Sequence, residues 1–98
     1  MTTRDEFIET LKSKIDEWNA EITRLEAKAQ KAGAEAKERY AEQINEMRKF
    51  RDDAEARLNE IMGASHDTWE KRRGELEQAW HDIRDGFSRA WSRVSGGS

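Results

Sequence analysis

The side chains that could carry chemistry are two histidines and many carboxylates, because the 98 residues include no cysteine. His66 and His81 could bind a metal ion through their ring nitrogens. On one helix they would lie about four turns apart, roughly 22 Å, which is too far for a shared ion. Neither follows a glutamate by three residues, so the Glu-x-x-His pattern of carboxylate di-iron bundles is missing. The sequence therefore predicts no metal site.

Carboxylate pairs are the second candidate chemistry, because two neighbouring acids can divide general acid and base roles. Pairs such as Asp52 with Asp53 and Asp82 with Asp85 are expected by chance among 21 acidic residues. The sequence contains neither a glycine-rich phosphate loop nor a Gly-x-Ser-x-Gly nucleophile motif. We predict no catalytic residues and no cofactor, and therefore no enzymatic activity.

Basic side chains cluster at residues 48–51 and 71–73, and such clusters could follow a phosphate backbone. Acidic residues flank both clusters, for example Glu70 and Glu75 around the second. The formal net charge of the chain is -3. Alternating charges of this kind are typical of a solvated helix face with ion pairs, so nucleic acid is not an expected partner.

A stripe of large apolar residues runs through the last third of the chain, with three tryptophans recurring every 11 residues. That period of 3.67 residues per turn indicates one face of a nearly straight helix over residues 67–94. The stripe is expected to pack against apolar residues that precede it. The residues predicted to form this hairpin packing are Ile44, Met47, Leu58, Ile61, Trp69, Leu76, Trp80, Ile83, Phe87 and Trp91.

The same tryptophan stripe has a second interpretation, since tryptophan on an amphipathic helix is also suited to a lipid surface. Residues 64–98 contain six basic and six acidic residues, so the polar face is neutral rather than basic. Large aromatic residues on a narrow stripe are more often part of a protein core. We therefore expect core packing, with membrane binding as the less favoured alternative.

Earlier in the chain, apolar residues alternate in steps of three and four, which is the heptad spacing of a coiled coil. The stripe keeps its phase through small residues to about residue 61. A single fold-back helix cannot cover its first half, so that half is expected to be buried by another copy. The predicted self-association interface consists of Ile8, Leu11, Ile15, Trp18, Ile22 and Leu25.

Two glycines decide the fold predicted from these patterns. Gly63 favours a turn at residues 63–66, with Asp67 and Glu70 capping the next helix, whereas Gly33 lies in an alanine-rich, helix-forming segment. We expect an all-α protein with one long helix over residues 3–62, beginning at a Thr3 cap, and a fold-back helix over about 67–94. These would form an antiparallel coiled-coil hairpin that assembles into a homo-oligomer, most simply a dimer. The alternative is a three-helix bundle with a break at Gly33.

The whole chain, residues 1–98, is expected to form one domain with a frayed tail at 95–98. The N-terminus becomes acidic within six residues and has no apolar run typical of a secretory signal. No segment approaches the roughly 20 apolar residues that a membrane span needs. A cytoplasmic location is the resulting expectation.

A resemblance to known proteins lies in five segments, namely residues 1–7, Leu11-Lys12, residues 16–22, residues 25–29, and Ala64-Ser65 followed by Trp69 and Trp80. Together they resemble a family of short bacterial coiled-coil proteins, described as stress-response proteins or, from their helical repeats, as apolipoprotein-like. The resemblance spans nearly the whole chain and brings no established catalytic residues. It implies a cytoplasmic, non-enzymatic role in a bacterial stress response.

These patterns predict a non-enzymatic structural or protein-interaction protein that self-associates through its heptad stripe and is associated with stress. An unidentified protein partner is also compatible with them. The alternative is a peripheral lipid-binding protein with an apolipoprotein-like amphipathic helix.

Overall fold

A computed structural model of the chain describes residues 3–95 as an all-α protein of three helices. Helix α1 spans Arg4–Gln30, α2 spans Ala34–Gly63 and α3 spans His66–Ser95. The all-α class is as predicted from the sequence. Ser95 belongs to α3, and residues 96–98 of the predicted frayed tail lie outside the described residues.

Helix α1 begins at the predicted cap. The Thr3 hydroxyl accepts a hydrogen bond from the backbone N–H of Glu6 at 3.1 Å and donates to the Glu6 carboxylate at 3.0 Å. The Thr3 carbonyl accepts the first helical hydrogen bond, from the Phe7 N–H. Asp5 and Glu6 also place negative charge at the positive end of the helix dipole.

The prediction of one continuous helix over residues 3–62 is wrong, because the chain turns at residues 31–33. Gly33 caps α2 in an extended conformation (φ −67°, ψ 169°) without a side-chain hydrogen bond. The physical reason for the break is burial. Folding α1 back against the rest of the chain covers its apolar stripe, and this outweighs the high helix propensity of the alanine-rich segment. The alternative prediction, a three-helix bundle with a break at Gly33, gives the observed number of helices.

The second turn, between α2 and α3, lies within the predicted residues 63–66 but differs in its capping. Ser65, rather than Asp67, caps α3, since its Oγ accepts a hydrogen bond from the Thr68 N–H at 3.2 Å. Its carbonyl accepts from the Trp69 N–H. Gly63 is the last residue of α2, and no described glycine has a positive φ.

Helix α2 is the helix that packs closely against both of the others. Its Cα atoms come within 8 Å of those of α1 and α3 along the bundle, whereas described residues of α1 and α3 approach each other that closely at hardly any position. The molecule measures 52 × 17 × 17 Å. The three helices therefore form an elongated bundle in which one of the three interfaces is wide.

The residues assigned to a self-association interface lie instead inside this bundle. Leu11, Ile15, Trp18, Ile22 and Leu25 are buried in the same hydrophobic cluster as the stripes of α2 and α3. Ile8 is only partly buried, and the neighbouring Phe7 is buried in its place. Within the single chain, α2 and α3 cover the stripe that the sequence assigns to a second copy, and self-association stays a prediction.

The residues predicted for hairpin packing lie in or against this cluster. Leu58 and Trp91 are partly buried and the other eight are buried. Gln43 of α2 is buried as well, and its Oε1 accepts no hydrogen bond from any described residue. The core thus runs the length of the bundle as one cluster.

Candidate interaction surface

The wide interface between α1 and α3 is filled by aromatic rings, which we call the aromatic seam. Phe7 lies against Trp69, with ring centroids 5.4 Å apart. Eleven residues further along each helix, Trp18 stacks on Trp80 with centroids 5.3 Å apart. The helices therefore run in the same direction, in a constant register. The aromatic seam consists of Phe7, Trp18, Trp69, Trp80 and Phe87.

Trp18 is the centre of the aromatic seam, because it stacks on two residues of α3. Besides its contact with Trp80, its ring lies nearly parallel to that of Phe87, at a centroid distance of 4.2 Å and an interplanar angle of 8°. Trp80 and Phe87 are two helical turns apart, so their rings form one wall against which Trp18 packs. Trp18 and Trp80 are both buried.

An open cleft lies beside this centre, with a volume of about 530 Å³. Trp18, Phe87 and the partly buried Trp91 contribute aromatic surface to its lining. The rest of the lining consists of the exposed or partly exposed residues Lys14, Glu17, Ala20, Glu21, Arg24 and Ser88. At this position the aromatic core of the bundle borders a solvent-open groove.

The charges at the edge of the cleft are paired within α1. The Lys14 ammonium group lies 3.2 Å from the Glu17 carboxylate, and the Arg24 guanidinium lies 3.2 Å from the Glu21 carboxylate. The residues of each pair are one helical turn apart. Such exposed pairs contribute little stability and rearrange at low cost. The cleft therefore combines an aromatic lining with an edge of both charge signs, which is the composition of many protein interfaces.

The interface of α2 with α3 differs in kind. Phe50 packs directly on the backbone at Gly86, and a Cβ atom at that position would lie 2.4 Å from the phenyl ring. Ion pairs join Glu60 to Arg72 and Glu46 to Arg93 across the same two helices. Close backbone approach and polar contacts thus hold this interface together, where rings fill the aromatic seam.

Among the described acidic residues, Glu60 has a clearly shifted pKa. A hydrogen bond from the Arg72 guanidinium lowers the pKa of Glu60, and the positive charges of Arg72 and Arg57 act in the same direction. Partial burial opposes them. In return, the hydrogen bond to Glu60 raises the pKa of Arg72. This pair links two helices and lines none of the clefts along the aromatic seam.

The two histidines lie on the solvent side of α3. His81 Nδ1 is 2.9 Å from the Arg84 guanidinium, and His66 Nε2 is 4.0 Å from the Glu70 carboxylate. Among residues 3–95, no group of three or more histidine or acidic side chains is arranged to hold a metal ion. Within the same residues, none of the helices has an apolar stretch long enough to cross a membrane.

The basic clusters are paired with acids, as the sequence indicates. Arg72 contacts Glu75 and Glu60, and Arg48 contacts Glu26 of α1. The guanidinium of Arg51, which interrupts the heptad stripe, is half-buried and donates to Asn19 of α1 at 3.0 Å. These arginines stabilise contacts between helices through their charges and their long side chains.

Three residues that hold the helices together are not predicted from the sequence. Phe7 is offset by one residue from the heptad position, at Ile8, that the stripe assigns to the core. Arg4 donates to the carbonyl oxygens of Ile61 (3.2 Å) and Met62 (2.9 Å) at the end of α2, which sequence spacing cannot show. The sequence does contain a sign of the close contact at Gly86. A glycine inside a helix costs about 1 kcal/mol relative to alanine, so its presence there suggests that another group packs against the backbone.

Comparison of the chain with known protein families, with curated proteins and with solved structures found no match.

Proposed function

We propose that this chain is a non-enzymatic helical interaction protein that binds a protein partner at the cleft between α1 and α3. The observation that supports this most directly is the aromatic lining of that cleft, where the partly buried Trp91 lies beside the buried rings of Trp18 and Phe87. Tryptophan residues are enriched among the few side chains that dominate binding energy at protein interfaces. The shape of the cleft, a groove along two parallel helices, suits an amphipathic helix as the bound element.

The charged edge of the cleft sets the expected chemistry of the partner. Because the two positive charges of Lys14 and Arg24 balance the two negative charges of Glu17 and Glu21, the edge has no net charge. A partner helix with apolar residues on one face and mixed charges beside it complements this edge. A polyanion gains little here, which agrees with the overall charge of -3.

The association with stress and the cytoplasmic location come only from the sequence, and they stay proposals. The role in a bacterial stress response is what the family resemblance implies. Self-association stays a prediction as well. Within one chain α2 and α3 cover the stripe of Ile8 to Leu25, so a second copy can cover it only by taking the place of those helices.

Site-specific photocrosslinking tests the proposed surface. A photoreactive amino acid at Ser88, exposed at the cleft, should give a discrete crosslinked protein in the native host. The matched control carries the same group at Asp53, which is exposed on α2 and lines none of the described clefts. Crosslinking at Ser88 should disappear when Trp91→Ala removes part of the aromatic lining. Equal crosslinking from both positions, or none from Ser88, would count against the proposal.

A peripheral lipid-binding role is the second candidate, supported by the composition of the aromatic seam. Separating α1 from α3 would expose Phe7, Trp18, Trp69, Trp80 and Phe87 together, and aromatic side chains suit a lipid interface. In the closed bundle all five are buried, and no basic face supplements them. These two facts place the lipid role second.

Liposome flotation separates the two candidates. Vesicles of phosphatidylcholine with phosphatidylglycerol should leave the protein in the dense fraction and leave its tryptophan emission unchanged if the aromatic seam stays closed. Flotation at physiological salt, weakened by Trp80→Ala, would instead make lipid binding the leading function. Salt sensitivity of any binding would report the electrostatic part of the attraction.

A further inference from the structure

From the turn at residues 31–33 we infer that two copies of this chain can exchange α1, forming a dimer in which α1 and α2 join into one helix. In that dimer, α1 of each copy packs on α2 and α3 of the other. The inference rests on the proposed interaction role, since it names a second copy of the chain as one protein partner.

The angles at the two ends of the turn show what a continuous helix would require. Lys31 lies in the right-handed helical region (φ −95°, ψ −5°), whereas Gly33 is extended, so its ψ would have to rotate from 169° to about −42° with little change in its φ of −67°. No side chain caps α2 at this point. Nothing lies within 4 Å of a Cβ placed on Gly33. The turn is therefore held by the packing of α1, and local interactions oppose a continuous helix only weakly.

The sequence around the turn favours that continuous helix. Ala27, Ala29, Ala32, Ala34 and Ala36 have the highest helix propensity of any residue type. The apolar stripe keeps its phase across the glycine, because Ala29, Ala32 and Ala36 follow one another in steps of three and four. Small residues at these positions would let two long helices cross closely at their midpoint.

An exchanged dimer would form the present contacts of α1 with α2 between copies. These contacts include those of Arg4 with Ile61, Asn19 with Arg51, and Glu26 with Arg48. In the dimer each of these pairs would join α1 of one copy to α2 of the other. The buried contacts of α1 are preserved, so exchange costs mainly the entropy of association.

Two substitutions at the turn act in opposite directions on the two states. Gly33→Ala removes the cost of glycine from each long helix, and a dimer contains two such helices. We expect the dimer association constant to rise about 10- to 30-fold.

Ala34→Pro should have the opposite effect. It places proline at the first position of α2, where proline is well tolerated, and the extended conformation of Gly33 suits the residue before proline. Inside a continuous helix the same proline clashes with the preceding turn.

The experiment compares the unaltered chain, Gly33→Ala and Ala34→Pro after refolding from denaturant at high concentration. Sedimentation velocity should show a dimer in the unaltered chain, more dimer with Gly33→Ala, and only monomer with Ala34→Pro. Circular dichroism of Ala34→Pro should match that of the unaltered monomer, showing that the closed bundle is intact. Monomer in all three samples would overturn the inference, as would a dimer that persists with Ala34→Pro.

A crosslinking experiment distinguishes the exchange of α1 from the side-by-side association of two closed bundles. The chain lacks cysteine, so Glu26→Cys and Arg48→Cys each introduce a single thiol. When the two variants are refolded together, a short bismaleimide should join one chain to the other, because these residues contact each other across α1 and α2. Each variant refolded alone should give no crosslink. Crosslinking in neither case, from a dimeric sample, would overturn exchange.

The two proposals can fail separately. The turn variants leave the cleft of Trp18, Phe87 and Trp91 unchanged, so an unaltered photocrosslink from Ser88 with no dimer would remove exchange alone. A dimer without a partner at Ser88 would remove the cleft proposal alone.

Discussion

The interface of α2 with α3 and the aromatic seam between α1 and α3 reach stability by different means. Across the first, the backbones are close, Phe50 lies on Gly86, and ion pairs cross from helix to helix. Across the second, the backbones stay apart and stacked rings span the distance. The first should therefore be sensitive to added atoms and the second to lost ones, because overpacking and cavity formation are distinct costs.

The largest expected effect is at the aromatic seam. Trp18→Ala removes the ring that stacks on both Trp80 and Phe87, and should lower the free energy of unfolding by about 3 to 5 kcal/mol. Urea unfolding followed by circular dichroism measures this loss. Met62→Ala is the control, because that large apolar side chain is 48% exposed, and its change should stay within about 0.5 kcal/mol. Similar losses for both variants would contradict the assignment of Trp18 to the core.

The second prediction tests close approach at the interface of α2 with α3. Gly86→Ala should destabilise the bundle by about 1 to 3 kcal/mol, although alanine is the better helix former, because its Cβ would overlap the Phe50 ring. Thermal unfolding reports the sign. Adding Phe50→Ala should remove most of the further cost of Gly86→Ala, since the ring is the obstructing group. A gain in stability from Gly86→Ala alone would show that Phe50 moves aside freely.

Gly74→Ala is the matched opposite in the same helix. Nothing lies within 4 Å of a Cβ at Gly74, so alanine gains helix propensity without a clash. The free energy of unfolding should rise by about 0.5 to 1 kcal/mol. The midpoint of urea unfolding should rise with an unchanged slope. A loss of stability would mean that Gly74 has a contact that the closed bundle does not show.

The smallest effect concerns acid and the ion pair of Glu60. Because hydrogen bonding by Arg72 lowers the pKa of Glu60 in the folded state, its contribution is complete above the unfolded pKa of about 4.3 and is lost as the pH falls through the lower folded value. Glu60→Gln should therefore lose less stability than the unaltered chain on acidification through that range. Thermal melts across the acidic range test this. Parallel curves for the two proteins would show that the pair contributes nothing measurable.

Much of the fold follows from the sequence because apolar spacing reports helices directly. The Thr3 cap, the turn at residues 63–66 and the stripe of α3 need only local information, and the structure contains all three. The break at residues 31–33 could not be found that way. Its local residues favour a helix, and only the gain from covering the stripe of α1 with α2 and α3 decides for the turn.

The candidate surface was less accessible to sequence reasoning than the helices were. The heptad spacing predicts that a second copy covers Trp18, because nothing in an apolar stripe specifies which helix packs on it. The pairing of Phe7 with Trp69 and of Trp18 with Trp80 depends on the register of two helices that are not consecutive in the chain. The cleft at Trp91 is a consequence of that register, so it becomes visible only once all three helices are placed.

The order of the helices also bears on how quickly the chain folds. Contacts of α2 with its two neighbours join segments that are adjacent in the chain, whereas the rings of the aromatic seam join residues about sixty positions apart. Because distant contacts require larger loop closures, the aromatic seam is expected to form last, after the folding transition state. Trp18→Phe should then accelerate unfolding and leave the refolding rate nearly unchanged in stopped-flow experiments, so the seam would set how long the closed bundle persists rather than how fast it forms.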